Sequence, residues 1–204
     1  MNLKNTISPN RIWFTADLHF GHKLMIDKER MNNSRPYSTV EEHDEEILKN
    51  INSQVDKHDL FYILGDFGFS PAIELQKIVH QMNGSKFLIL GNHDRNADKL
   101  NGFEQITQIK MLRLKNVYHA DFGLFRYLEI VLCHYPIASW QNKIHDSLHF
   151  YGHTHGRFEN LGLSLDVGLD AQGYYPVNLH TLLIKLYERN TGNSVFKNLI
   201  SLNE

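Results

Sequence analysis

The chain has 204 residues, 42% of them hydrophobic and 22% charged, with a formal net charge of −2 and one cysteine, Cys133. That length and balance suit one soluble domain, 1–204, with a full core; the near-neutral charge leaves no global field drawing the protein to nucleic acid or anionic membrane. A single cysteine excludes an internal disulfide, the opening MNLKNTISPNR has no apolar secretory core, and no apolar run approaches the ~18 residues that span a bilayer, so a cytoplasmic protein is expected.

In chain order, RIWFTA ends at Asp17 as a strand-length apolar run. STVEEHDEEILKNINSQV then reads as a helix, with Ser38 or Thr39 three residues before Glu41 or Glu42 as a capping box and Val40, Ile47, Leu48, Ile51 and Val55 as its apolar stripe. LFYIL is a second strand, closed by Gly65-Asp66. SPAIELQKIVHQM reads as a second helix, with Ser70 as cap, Pro71 at the first helical position and a stripe of Ile73, Leu75, Ile78, Val79 and Met82. KFLIL is a third strand, closed by Gly91-Asn92-His93-Asp94. From Ile106 to Val167 the pattern is mostly strands with turns at Gly123 and Gly162, including LEIVLC before His134 and LHFY before Gly152-His153. Cys133 lies in the apolar run IVLCHYP and is expected to be a small buried residue rather than a nucleophile. A last helix runs from Asn178 as cap through LHTLLIKLYER. Helices alternating with strands early, and strands dominating later, predict an α/β sandwich.

The polar residues at the strand ends carry the chemistry. They are Asp17 and His19, Asp66, Asn92 with His93 and Asp94, His134, and His153 with His155. If YGHTHGR continued a strand, His153 and His155 would point the same way. Mixed Asp, Asn and His donors suit borderline divalent ions such as Mn, Fe, Co, Ni or Zn. Asp17, His19, Asp66, Asn92, His134, His153 and His155 exceed what one catalytic ion usually takes from protein. Two ions sharing one bridging carboxylate would use them all, and ions about 3.5–4 Å apart are a recurring device for cleaving phosphate esters.

The blocks DLH (17–19), GD (65–66), GNHD (91–94), His134 and GHTH (152–155), in that order, resemble the five-block signature of calcineurin-like metallophosphoesterases. WFTADLHFGH, RPYSTVEEHDEEILKNIN, YILGDF and LCHYP are similar to a small prokaryotic and phage-type branch of predicted phosphoesterases. The resemblance implies a two-sheet β-sandwich flanked by helices, the four-layer αββα arrangement. It also implies that Asp17, His19 and His155 hold one divalent ion, that Asp66 bridges, that Asn92, His134 and His153 complete the second, and that His93 faces the substrate with Asp94 orienting it. Manganese heads the expected ions, with Fe, Ni, Zn, Co and Mg as alternatives. The implied reaction is hydrolysis of a phosphomonoester or phosphodiester, nucleotides included, by a hydroxide held between the ions, with His93 protonating the leaving group. A nuclease, a cyclic-nucleotide phosphodiesterase and a non-catalytic protein-binding scaffold are the alternatives; the first wants a basic, aromatic-interleaved groove that the composition lacks, and the last wants missing ligands.

Further candidates surround these blocks. His22 and Arg95 could touch a substrate phosphate, as could Arg35 if it is not tied into a loop salt bridge. Asp166 and Asp170 could support the histidine block from behind. Trp140 is expected in the core, Tyr174 and Tyr175 as a cap on the sheet, and His43, His58, His80, His119, His145, His149 and His180 as ordinary residues.

Overall fold

A computed structural model of the chain describes residues 6–30 and 34–190. The first strand, β1 (Ile12–Thr15), runs parallel to β2 (Leu60–Leu64), which runs parallel to β3 (Ser85–Ile89) and then β4 (Phe103–Thr107). A short antiparallel strand, β9 (Val177–Asn178), closes the sheet on the far side of β1, giving the order β4-β3-β2-β1-β9. The second sheet has the order β5 (Ile109–His119), β6 (Gly123–Cys133), β7 (Leu148–Tyr151), β8 (Ser164–Asp166). The β5–β6 pair is a long antiparallel hairpin, and β6, β7 and β8 are parallel.

Alternation along β1 explains how the first sheet is covered on both faces. Ile12, Phe14 and Ala16 join a core shared with Leu112, Phe125, Ile130, Leu132 and Phe150 of the second sheet, whereas Trp13 joins the core under the helices. Helices α1 (Val40–Gln54) and α2 (Ala72–Gln81) lie on that outer face through Ile47, Ile51, Leu75 and Val79. Helix α3 (Leu179–Arg189) touches both sheets, at β1 and β8, and its Leu179, Leu182, Leu183 and Leu186 close the inter-sheet core. The outward face of the β5–β6 hairpin presents Arg113, Lys115 and Tyr127 to solvent. The α/β sandwich of two sheets flanked by helices is therefore the fold observed.

The caps follow the sequence at α1 and α3 and depart from it at α2. The Thr39 hydroxyl accepts from Glu42 N–H, and the Glu42 carboxylate reaches back to Ser38 N–H, so the reciprocal box forms one residue out of its usual frame. The Asn178 side chain accepts from Thr181 N–H. At α2 the cap is Pro71, whose carbonyl starts the helix, rather than Ser70, and Ile73 of the expected stripe is 73% exposed. Ile73 stands two residues before Leu75, about 200° round the helix, so it faces away from the sheet while Leu75, Val79 and Met82, spaced four and three apart, carry the buried face.

At the opposite end of the strands Asp59 cross-links the first two. Its carboxylate accepts from Arg11 Nε (2.8 Å), Trp13 Nε1 (3.0 Å) and Asp56 N–H (3.1 Å), pinning the starts of β1 and β2 together.

Candidate metal centre

Because β1, β2 and β3 are parallel, their C-terminal ends share one edge, and the parallel pair β6 and β7 brings its own ends to the same place. Past the strands, Asp17 N–H donates to Gly65 C=O (3.0 Å) and His19 N–H to Asp66 C=O (2.9 Å), and a bridge between Ala16 and Gly168 ties the two sheets at this edge. Close approach here needs glycine. A Cβ on Gly65, which has φ +89°, would sit 2.5 Å from His134 Nδ1, and one on Gly91 would collide with the Asp66 carboxylate.

Two groups of ligand-type side chains result. Asp17, His19 and His155 converge so that one donor atom of each lies within 4.8 Å of the others, and Asp66, His134 and His153 do the same. Asp66 stands between them: its Oδ2 is 3.7 Å from His19 Nε2 and 3.5 Å from His134 Nε2. Asn92 Oδ1 joins the second group, 3.1 Å from His134 Nε2. The two histidines of GHTH are not on a strand. β7 stops at Tyr151, and His153 and His155 take left-handed backbone (φ 69° and 50°), so they diverge: His155 stacks on His19 and His153 meets His134 edge-on. Asp17, His19 and Asp66 are left-handed too (φ 57°, 54° and 54°). Five non-glycine residues held in a sparsely populated region is backbone strain gathered at one site.

The donor set fits divalent cations on several counts. His19 Nε2 is buried with no hydrogen-bond partner among the described residues, although it faces the Asp66 carboxylate. Burial pushes the His19 imidazole down to about 2, leaving the ring neutral and able to donate a lone pair. Burial pushes the Asp17 carboxyl up to about 7, a position at which a cation in the trio would be needed to keep it ionised. Burial also acts on Asp66, but the neighbouring His134 outweighs it and holds the carboxyl at about 2. The other ring nitrogens are fixed from behind, as metal-binding imidazoles require. His134 Nδ1–H donates to Leu64 C=O (2.8 Å) and His155 Nδ1–H to the Asp170 carboxylate (2.7 Å), turning each Nε2 toward the site.

Residues 10–160 match the family of calcineurin-like phosphoesterases. The chain belongs to that family. It is 30% identical to the gene 66 protein of Mycobacterium phage L5 (79% of this chain, 87% of that protein) and 29% identical to the uncharacterized protein MJ1445 of Methanocaldococcus jannaschii (90% and 94%). In fold it is similar to a protein of unknown function, AQ665, from Aquifex aeolicus, with a TM-score of 0.60 at 23% identity over 86% of this chain and 98% of that one.

In this chain the role given to Asp94 differs from the sequence reading, and Arg35 takes the salt-bridge alternative, with Asp170 as its partner. Asp94 does not orient the His93 ring. Its carboxylate accepts from the backbone N–H groups of Asp66 (2.9 Å), Phe67 (2.8 Å) and Gly91 (2.8 Å), so it clamps the β2 and β3 loops to each other. His93 is anchored instead through its own N–H to Asp66 Oδ1 (2.9 Å), and its ring Nε2 stands 3.9 Å from Asp66 Oδ2. Arg35 is fully buried and cannot meet a substrate phosphate. Its guanidinium donates to the carbonyls of Asp17 (2.6 Å) and Leu18 (3.0 Å), to both oxygens of Asp170 (3.1 and 2.8 Å) and to His43 Nε2 (2.8 Å). His43, read as ordinary, therefore carries its proton on Nδ1 and donates it to Asp44, which also accepts from Gly21 N–H. Burial raises the Asp170 carboxyl, but the bonds from His155 and Arg35 outweigh it and hold the group well below the usual carboxylate range.

The remaining candidates divide by position. Asp166 organises the histidine loop, accepting from Thr154 Oγ1 (2.5 Å), Gly156 N–H (3.0 Å) and Gly168 N–H (2.8 Å). His22 reaches His19 Nδ1 at 3.3 Å and is driven down to about 4, first by burial and then by His93. It stacks on Phe69, an exposed ring that also meets His19 and His93 and that the motif pattern did not signal. Tyr135, also missed, lies 4.8 Å from the His153 ring. Arg95 is exposed beside Asn92. Cys133 is half-buried at the wall of a cleft rather than in the core, because its strand ends there; burial still raises its thiol above the ordinary value. Trp140 is buried on Ser147 as expected, and Tyr174 packs on Tyr37. His119, Asp121 and His180 make a third group, but the two imidazoles are stacked in parallel at 4.2 Å and His119 Nδ1 already accepts from Asp121 N–H, so their lone pairs do not converge. Among the described residues no helix is long and apolar enough to cross a membrane.

Proposed function

We propose that this chain is a hydrolase of phosphoric esters that works with two divalent ions. Asp17, His19 and His155 hold one, Asn92, His134 and His153 hold the other, and Asp66 serves both. The observation that carries this reading is the pair of converging trios, which meet where the Asp66 carboxylate of one faces the buried, unsatisfied His19 Nε2 of the other. Bound there, such ions supply Lewis-acid stabilisation of the phosphoryl oxygens and a water of lowered pKa as nucleophile. The protein's part is positional. Asp170 and the Leu64 carbonyl orient the two imidazoles, Asp94 fixes the loops that carry Asp66 and Asn92, and half-exposed His93 leans over the open side as proton donor to the leaving oxygen. Manganese is the first ion to try, since Asp, Asn and His donors together suit borderline metals.

Elemental analysis of protein reconstituted with manganese, followed by assay on aryl mono- and diesters, cyclic nucleotides and short oligonucleotides, tests this. Two ions per chain with turnover on at least one ester class is the expected result. One ion at saturation refutes the paired centre, and full loading with no turnover on any ester refutes the hydrolase; preference for cyclic nucleotides or oligonucleotides would select among ester classes.

A further inference from the structure

Beside the second trio the surface opens into a cleft of about 500 Å³, bounded by Leu90–Asn92, Asp94 and Arg95 after β3, by Gln108 and Ile109 at the start of β5, and by Cys133 and Tyr135 at the end of β6. The register of the β5–β6 hairpin places Ile109 directly opposite Cys133, so one wall is built by the paired ends of two strands and not by a wandering loop. The cleft shares Asn92 with the proposed centre, and Tyr135 joins them: its hydroxyl is 3.5 Å from Asn92 Oδ1 and its ring sits edge-on to His153. Whatever fills this space is therefore in reach of a phosphoryl group held at Asn92, His134 and His153.

The lining describes the occupant. Leu90, Ile109 and Cys133 are apolar, and Ile109 and Tyr135 are 54% and 43% exposed, large hydrophobic surfaces left open at the mouth of a polar centre. Asn92, Gln108 and Arg95 add amide and guanidinium groups at the rim, suited to the edge of a ring bearing nitrogen and oxygen. Asp94 contributes little acceptor capacity, because three backbone N–H groups already engage its two oxygens. Arg95 is the one cationic side chain among the lining residues, which is too little to track a polynucleotide backbone. The volume falls in the range of small-molecule pockets and greatly exceeds what a phosphate group alone fills.

We infer that this cleft seats the organic part of the substrate, and that the substrate is a phosphoester of one flat, hydrogen-bonding group of nucleoside size. It is neither the phosphate of a small polyol nor a nucleic-acid chain. This rests on the hydrolase reading above. Tyr135 and Ile109 cover the faces of the ring, Gln108 and Arg95 meet its edge, and Asn92 marks where the phosphoryl group begins.

Cys133 allows a test that needs no turnover, since it is the chain's one cysteine and it lines the cleft. In the manganese-loaded protein, alkylation of Cys133 by iodoacetamide is followed by mass spectrometry with adenosine, thymidine, glycerol or inorganic phosphate present. Either nucleoside should slow labelling, and glycerol and phosphate should not. In parallel, kcat/KM is measured for thymidine 5′-(4-nitrophenyl) phosphate and for methyl 4-nitrophenyl phosphate in wild type and in Ile109→Glu, an exposed change at a strand end. The nucleoside-to-methyl ratio should fall by about tenfold or more, as expected where a charge replaces an apolar pocket contact. Labelling blocked by phosphate alone, or unaffected by both nucleosides, overturns the assignment, and so does an unaltered ratio. Hydrolysis of both esters without nucleoside protection sinks the cleft while leaving the hydrolase standing. Protection without hydrolysis of either ester does the reverse.

Discussion

Replacing Arg35 by methionine keeps an apolar stem of similar reach and removes the guanidinium. The structure then leaves the carbonyls of Asp17 and Leu18, the Nε2 of His43 and the carboxylate of Asp170 without the donor that now serves all four. Arg35 is fully buried and the Asp170 side chain is 13% exposed, so water replaces little of what is lost. Removing one partner of a buried pair costs about 3–5 kcal/mol, because the other charge stays behind uncompensated. For a chain of this size each kcal/mol moves Tm by about 2–4 °C, so Arg35→Met should melt about 6–20 °C below wild type. Differential scanning calorimetry in chelator, which removes any contribution from bound ions, is the measurement. The companion Arg35→Met/Asp170→Asn should recover part of the loss by neutralising the orphaned carboxylate, with a coupling of about 0.5–3 kcal/mol. A single mutant melting within 2 °C of wild type would refute the view that this arginine holds the first trio together, and strictly additive losses would refute the charge argument even if the protein is destabilised.

Three further outcomes follow from the same geometry. Asp170→Asn keeps a hydrogen-bond acceptor for His155 but removes its charge, and should weaken metal binding by about 10–100-fold in titration calorimetry; unchanged affinity would show that His155 needs no carboxylate behind it. His93→Ala should retain both ions yet slow turnover by about 10²–10⁴-fold, more on an alkyl ester than on a nitrophenyl ester, whose phenolate leaves without a proton; equal losses would rule out proton donation, and lost metal would make His93 a ligand. Asp59 lies away from the centre and has a depressed pKa: burial raises it, but the bonds from Arg11, the Asp56 backbone and Trp13 outweigh that. A depressed carboxylate stabilises the fold above its unfolded pKa, about 3.9, and that stability is lost as pH falls through the folded pKa. The urea-unfolding gap between wild type and Asp59→Asn should therefore be full at pH 7 and shrink below about pH 4; a gap that persists at pH 2.5 would show that packing, not charge, is what Asp59 provides.

What could be read along the chain were features that depend on a few neighbouring residues. RIWFTA, LFYIL and KFLIL are strands in the structure because runs of β-branched and aromatic residues between turn signals favour extended chain wherever they are placed. Thr39 caps α1 because a hydroxyl reaching an N–H three residues on is local geometry. The metal-type residues could be listed from the sequence for the same reason: each follows directly on an apolar run whose end must lie at a sheet edge. That local logic failed at α2, where one residue of shift put Pro71 in place of Ser70, and at GHTH, where the strand periodicity stops two residues before the first histidine.

Only the tertiary structure decided which carboxylate serves which group. Asp94 sits next to His93, yet it bonds the backbone of Asp66 and Phe67, 28 and 27 residues away, because Gly65 and Gly91 let those loops touch. Arg35 looked like a loop cation and is the buried tie between Asp17 and Asp170, 135 residues apart from the latter. Phe69 and Tyr135 carry no motif, and Cys133 has an apolar neighbourhood in sequence but a cleft beside it in space. Hydrophobic period and capping are properties of a chain segment and survive in isolation. Burial of a charge, the partner that offsets it and the shape of the space left over exist only once segments distant along the chain have met.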